Sequence, residues 1–207
     1  IKIPDNVVEI GKSAFSSCRN LSNVYIGTGV HKIGSDAFGD CRNLKKIIVD
    51  NQNQDFISDN GVLFDRMKNQ LIQYPAGILG SYTIPESVSI IKTNAFGCCL
   101  ELRSVIFGNN VKVIENHAFS RCESLHEVIL PDGLITIGEN AFCECTELNS
   151  VTFGSKIQSI SSCAFYLCSL KTIYCSNITP PKLFEDSFDS YLTDDNERNE
   201  TDEISVY

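Results

Sequence analysis

Reaction chemistry has little to work with in this 207-residue sequence. It has no G-x-G-x-x-G or P-loop stretch, and no His, Ser and acidic residue in a hydrolase-like arrangement. Its three histidines, His31, His117 and His126, fall at unrelated positions, and neither Cys98-Cys99 nor Cys143-Glu144-Cys145 has the C-x-x-C spacing that zinc sites favour. Catalytic, cofactor-binding and metal residues are therefore all expected to be absent. No uninterrupted apolar run approaches the roughly 18 residues of a membrane span, so no membrane insertion is expected of this segment. The chain opens on Ile1-Lys2-Ile3-Pro4 without an initiator Met, a basic n-region or an apolar h-region, and closes on Val206-Tyr207. Both ends read as the limits of a fragment or processed chain, which leaves the compartment undetermined by any leader.

A basic stripe is also missing. Net charge is −9, and residues 185–203 alone carry −8: Glu185, Asp186, Asp189, Asp194, Asp195, Glu197, Glu200, Asp202 and Glu203 against Arg198. Nucleic acid is thus not an expected partner. The acidic run reads most simply as a solvated insertion, with a cation site or a basic partner as the alternative.

What the sequence does hold is repetition. Six Ala-Phe pairs, Ala14-Phe15, Ala37-Phe38, Ala95-Phe96, Ala118-Phe119, Ala141-Phe142 and Ala164-Phe165, mark six copies of I-x-x-x-A-F-x-x-C-x-x-L-x-x-V-x-I. The step from Ala14 to Ala37 recurs unchanged from Ala95 to Ala118, to Ala141 and to Ala164. A fixed period of about 23 residues means stacked units, each with an apolar face that only its neighbours can cover. In one unit, Leu21, Val24 and Ile26 alternate with Tyr25, the pattern of a short strand. Side-by-side stacking gives a parallel sheet with about 4.8 Å between coils. A Gly or Pro turn follows (Gly27, Gly108, Pro131, Gly154), then a second apolar pair such as Val111 and Ile114, expected as a second short strand. The Ala-Phe-x-x-Cys-x-x-Leu stretch, apolar at spacings of three and four, predicts one or two helical or 3₁₀ turns on the opposite side. The six phenylalanines should stack as a single aromatic spine.

Six of the ten cysteines, Cys18, Cys41, Cys99, Cys122, Cys145 and Cys168, share one repeat position and should form a ladder; Cys98, Cys143, Cys163 and Cys175 lie elsewhere. Small buried thiols are the simpler reading. Cross-links between adjacent coils remain open on sequence grounds.

One step, from Ala37 to Ala95, covers more than two periods. Its apolar runs Val62-Leu63-Phe64 and Leu71-Ile72-Gln73-Tyr74 predict a β-hairpin inserted in a degenerate coil. After Cys175 the period fails at Thr179-Pro180-Pro181, predicting a cap with an acidic loop, poorly ordered around 191–202, and a final strand closing the sheet. The expected organisation is a single solenoid over 1–207: regular repeats 1–50, a degenerate repeat with a hairpin 51–82, regular repeats 83–176 and the cap 177–207.

The motif I-G-x-x-A-F-x-x-C-x-x-L-x-x-V-x-I, as in Ile10 to Ile26 and Ile33 to Val49, resembles the BspA-like class of leucine-rich repeats. That resemblance implies a leucine-rich-repeat solenoid of the α/β repeat class, dominated by β structure. It also implies a noncatalytic protein, secreted or displayed by host-associated bacteria, with adhesion to host or extracellular-matrix proteins. The shortened Cys168-Ser169-Leu170 segment and the acidic end depart from the family pattern.

Alternation sets the outward residues of the strand ribbon. Tyr25, Ile48, Ile106, Ile129, Thr152 and Tyr174 form one column; beside it, Lys45, Arg103, His126 and Lys171 belong to a mildly basic one. An apolar stripe rimmed by polar groups suits protein recognition, although strands favour such residues for their own sake. The expectation is an extracellular or cell-surface, monomeric module that binds a protein partner through this ribbon. The alternative is a structural spacer presenting another domain, and the remote one an enzyme.

Overall fold

The computed structural model describes residues 1–175, 181–184 and 186–188, and the backbone of 205–206. Thr179, Pro180 and the acidic run other than Asp186 lie outside the described residues. The chain winds as a series of stacked coils with two strand-bearing sides. One side holds β1 (Lys2–Ile3), β3 (Asn23–Ile26), β5 (Lys46–Val49), β9 (Gly80–Thr83), β11 (Leu102–Ile106), β13 (Glu127–Ile129), β15 (Ser150–Phe153), β17 (Thr172–Cys175) and β19 (Ser205–Val206). The other holds β2 (Glu9–Ile10), β4 (Lys32–Ile33), β10 (Ile90–Ile91), β12 (Val113–Ile114), β14 (Thr136–Ile137), β16 (Ser159–Ile160) and β18 (Lys182–Leu183). The insertion contributes β6 (Phe56–Asp59), β7 (Val62–Asp65) and β8 (Gln70–Gln73).

Coil-to-coil pairing is parallel and its register is the repeat itself: Val24 faces Ile47, Val128 faces Val151, and Ile137 faces Ile160, each one period on. Alternation buries Val24 and Ile26 while Tyr25 stays exposed. Where β15 turns out of the sheet, the neighbouring coil comes too close for a side chain. A Cβ on Gly154 would lie 2.3 Å from the Pro131 carbonyl oxygen, so this coil takes glycine there, whereas Pro131 and Asp50 fill the equivalent place in other coils.

The predicted helical turns are absent among the described residues; each Ala-Phe-x-x-Cys stretch is a pair of tandem turns. Their cause is a left-handed residue immediately before the Ala and another immediately before the Cys: Ser13 and Ser17, His117 and Arg121, Asn140 and Glu144 have φ between 53° and 60°. A left-handed residue cannot propagate a helix, and alternate N–H groups turn instead to the next coil. Phe119 N–H donates to the Ala141 carbonyl at 2.7 Å and Arg121 N–H to Cys143 at 2.8 Å, while i→i−3 bonds, such as Cys122 to Phe119, stay within the coil. The apolar spacing of three arises from these turns.

Inside, the aromatic rings form two stacks. Phe15 and Phe38 lie 5.6 Å apart; a second stack runs Tyr74, Phe96, Phe119, Phe142, Phe165, Phe188, with centroid spacings of 4.9, 4.6, 5.0, 5.0 and 5.2 Å. The core is correspondingly two clusters, divided at the insertion. The single spine is thus interrupted, because the meander β6-β7-β8 stands where one coil's turn would have packed. Fully buried Asn53 closes off the exposed end of the preceding coil: its amide donates to the carbonyls of Gly27 and Val30, and its oxygen accepts from the N–H groups of Asp55 and Phe56. At the other end the period persists. Ser187-Phe188 occupies the Ala-Phe place one period after Ala164-Phe165, and Phe165 N–H donates to the Ser187 carbonyl just as Phe142 N–H donates to Ala164.

Candidate functional site

Each outward residue of the ribbon is placed by its strand's alternation. Tyr25, Ile106, Ile129 and Tyr174 are exposed by 48, 61, 61 and 44%. Ile48 and Thr152 are half-buried in the same column, and Lys45, Arg103, His126 and Lys171 are exposed beside it. Among the described residues none of these four basic side chains is in an ion pair, whereas Lys32, Lys68, Lys92, Arg19, Arg42 and Arg121 all are. The charges of Lys45, Arg103 and Lys171 are therefore not paired by any described carboxylate.

Register brings some of these residues together and separates others. Tyr25 pairs with Ile48 in the ladder β1-β3-β5, and Ile129, Thr152 and Tyr174 are consecutive in β13-β15-β17-β19. Ile106 lies in a third ladder, β9-β11, opposite Thr83. The expected single ribbon is thus three hydrogen-bonded pieces. The first division is made by the inserted meander. The second lies between β11 and β13, which no ladder joins, although the repeat there keeps its full step. Its source is one coil earlier: the step from Tyr74 to Phe96 is one position shorter than the step from Phe96 to Phe119. Strand β11 takes up the difference as a bulge, pairing Leu102 with Gly80 and Ser104 with Ser81 so that Arg103 is extra. A bulge adds local twist and swings the strand's free edge away from its neighbour. The result is a groove of about 510 Å³ lined by Arg103, Val105, Ile106 and Phe107 on one wall and His126, Glu127, Ile129 and Leu130 on the other.

A second cavity, of about 270 Å³, sits at the meander between the turn Ile33–Phe38 and Lys92–Thr93. Its charged groups already have hydrogen-bond partners. Glu115 accepts from Lys92 Nζ and from both the N–H and the hydroxyl of Thr93 at 2.9 Å. Burial opposes ionisation of Glu115, but these donors outweigh it and hold its pKa below the usual carboxylate value. Asp36 likewise accepts from Asn94 across the cavity and from Ser13 and Ser16. This is a clasp closing the interrupted stack.

The ladder cysteines Cys41, Cys99, Cys122, Cys145 and Cys168 are buried free thiols, while Cys18, in the first coil, is a free thiol but exposed. Cys122 donates its S–H to the Phe96 carbonyl of the preceding coil, Cys145 to Phe119, and Cys168 to Phe142, at 3.1 to 3.3 Å. Burial pushes the Cys41 thiol up to about 11 and those of Cys122 and Cys145 well above the usual range. Such thiols are poor nucleophiles. Among the described residues no three His, Cys, Asp or Glu side chains converge to hold a metal ion, and no helix is long and apolar enough to cross a membrane.

Residues 1–70 and 73–190 match the BspA type leucine rich repeat region, in six copies. The chain belongs to that family. Its fold is similar to that of the pneumococcal vaccine antigen PcpA (26% identity, TM-score 0.62, covering 86% of this chain and 57% of that one). It is similar also to a leucine rich cell surface protein of Faecalibacterium prausnitzii (26% identity, TM-score 0.72, 84% and 52%). A leucine-rich repeat protein of Eubacterium ventriosum, 21% identical with a TM-score of 0.61 over 91% of this chain and 63% of that one, shares the fold. This BspA-type chain spans between about half and two thirds of the length of these three proteins. No curated protein sequence matches it.

Proposed function

We propose that the chain is a noncatalytic protein-binding module of a secreted or surface-displayed protein, adhering to host or extracellular-matrix proteins through the strand ribbon. The observation that carries this reading is the exposed column Tyr25, Ile106, Ile129, Tyr174 flanked by the basic side chains Lys45, Arg103, His126 and Lys171, none of them in an ion pair among the described residues. Apolar and aromatic groups of this kind supply contact area, and uncompensated charge at their rim supplies orientation. Family membership and the likeness to a cell surface protein and a vaccine antigen support the location. The test is binding of immobilised matrix proteins, fibronectin, fibrinogen and laminin among them, by the unaltered chain and by a Tyr25→Asp, Ile106→Asp, Tyr174→Asp variant. Loss of binding with unchanged circular dichroism is expected; equal binding by both would remove the ribbon as the contact surface.

A further inference from the structure

Two of the four cysteines outside the ladder fall on repeat positions that meet across an interface between coils. The residue before each Ala is left-handed: Ser13, Asp36, Asn94, His117 and Asn140 hold φ between 53° and 60°, and Cys163, at 54°, is next in the series. Asn, Asp and His are the residues enriched in that backbone region, so conformation does not account for a cysteine there. Two positions after each Ala stand Ser16, Gly39, Gly97 and Ser120, and then Cys143. The register brings these two positions together. Ser16 Oγ donates to Asp36 Oδ2 at 3.2 Å, from the second place after one Ala to the place before the next. Cys143 and Cys163 hold the same two places in the coils of Phe142 and Phe165, and like Ser16 and Asp36 they are 20 residues apart. Both are thiols, and Cys163 is among the groups that act on Cys143 through space. The ladder thiols are placed differently. Cys122, Cys145 and Cys168 share one position, so their side chains run parallel at a coil spacing of about 4.8 Å, wider than the ~3.8 Å between the Cβ atoms of a disulfide. Each of their S–H groups is also committed to a carbonyl of the preceding coil.

We propose that Cys143 and Cys163 form a reversible disulfide that staples the last two regular coils together. The oxidant is a low-molecular-weight disulfide. The thiolate of Cys163, the more exposed of the two, attacks one sulfur of that disulfide and expels the other as a thiolate. The Cys143 thiolate then attacks Cys163 Sγ, forming the bond between the two cysteines and expelling the second small thiolate. Two protein thiols lose two electrons, one small disulfide is reduced to two thiols, and the two protons end on those thiols. Burial, followed by the charge of Glu144, pushes the Cys143 thiol up to about 11, so closure should quicken with rising pH. The bond encloses residues 144–162 and fixes the coil that leads into Ser187-Phe188, where Cys163 N–H already donates to the Asp186 carbonyl. It lies on the side of the tandem turns and stands whether or not the ribbon binds a partner.

The test is titration of the folded chain with oxidised glutathione, followed by alkylation, cleavage after Glu144 and after Phe165, and mass spectrometry without reduction. Those cuts separate Cys143 from Cys145 and Cys163 from Cys168. A cross-linked pair of peptides carrying Cys143 and Cys163 is expected, reversed by dithiothreitol. Two variants borrow residues that the repeat already holds in the same places: Cys143→Ser, as at Ser16 and Ser120, and Cys163→Asn, as at Asn94 and Asn140. Both should fold. The first should stop with glutathione attached to Cys163, and the second should leave Cys143 a thiol. In the oxidised chain, amide exchange in the coil of Phe165 should slow about tenfold relative to the reduced chain, and the slowing should vanish in both variants. Linkage of any ladder pair, a glutathione adduct on Cys163 that never closes onto Cys143, or a closed bond with unchanged exchange would each overturn the proposal.

Discussion

The rings of Phe119 and Phe142 lie 5.0 Å apart with their planes 1° from parallel, and each is fully buried. That geometry follows from the constant step, which repeats the same rotamer in the same environment one coil further on. Phe119→Ala should cost about 3 to 5 kcal/mol, the usual result of emptying a buried aromatic site. Because coils touch only their neighbours, the effect should be local. Amide exchange is expected to quicken in the coils of Phe96 and Phe142 and to stay unchanged around Phe38, which lies in the other core cluster.

Tyr74 occupies a phenylalanine position in the longer stack, stacking 4.9 Å from Phe96, and its hydroxyl is buried with no hydrogen-bond partner among the described residues. Desolvation by the surrounding core raises its pKa, so it stays protonated and contributes no charge. An unpartnered buried hydroxyl is destabilising. Tyr74→Phe should therefore raise stability by about 1 to 2 kcal/mol in urea denaturation. A loss instead would reveal a partner for that oxygen.

Glu115 provides a pH signature. Burial raises its pKa, but Lys92 and Thr93 outweigh that penalty and hold the folded value below the ordinary one. A carboxylate depressed in the folded state adds stability that is fully present above its unfolded pKa and is lost as pH falls through the folded one. At pH 7, Glu115→Gln should cost about 1 to 3 kcal/mol, the scale of hydrogen bonds to a charged group. As pH falls through the folded value of Glu115 the two proteins should converge. Midpoints of urea denaturation across that range provide the check.

The fold is legible in the Ala-Phe pairs because one position in every coil does the same packing. Tyr74 is hidden from that pattern: it follows Gln73 in place of Ala and stands one position nearer Phe96 than the period requires. Phe188 is hidden for a different reason, since Ser187 replaces Ala and Tyr191 stands where Cys would recur, yet a search one fixed period beyond Phe165 finds it. The tandem turns read as helix in the sequence because both step apolar residues by three. The signal that separates them is the residue before each Ala, where Asp36, Asn94 and Asn140 tolerate a left-handed backbone. The missing ladder between β11 and β13 has no local signal, because the sequence from Leu102 to Leu130 is regular and the missing residue lies in the previous coil.

The carbonyls of Ala141 and Ala164 accept the N–H groups of Phe119 and Phe142 at 2.7 Å in both cases, and the strands of these coils pair in parallel, so the interfaces on either side of the Phe142 coil are alike. A deletion or duplication of one whole unit in this stretch would rejoin identical surfaces. Evolution can therefore lengthen or shorten the array by recombination without redesigning a core, and reach becomes a quantity selected separately from stability.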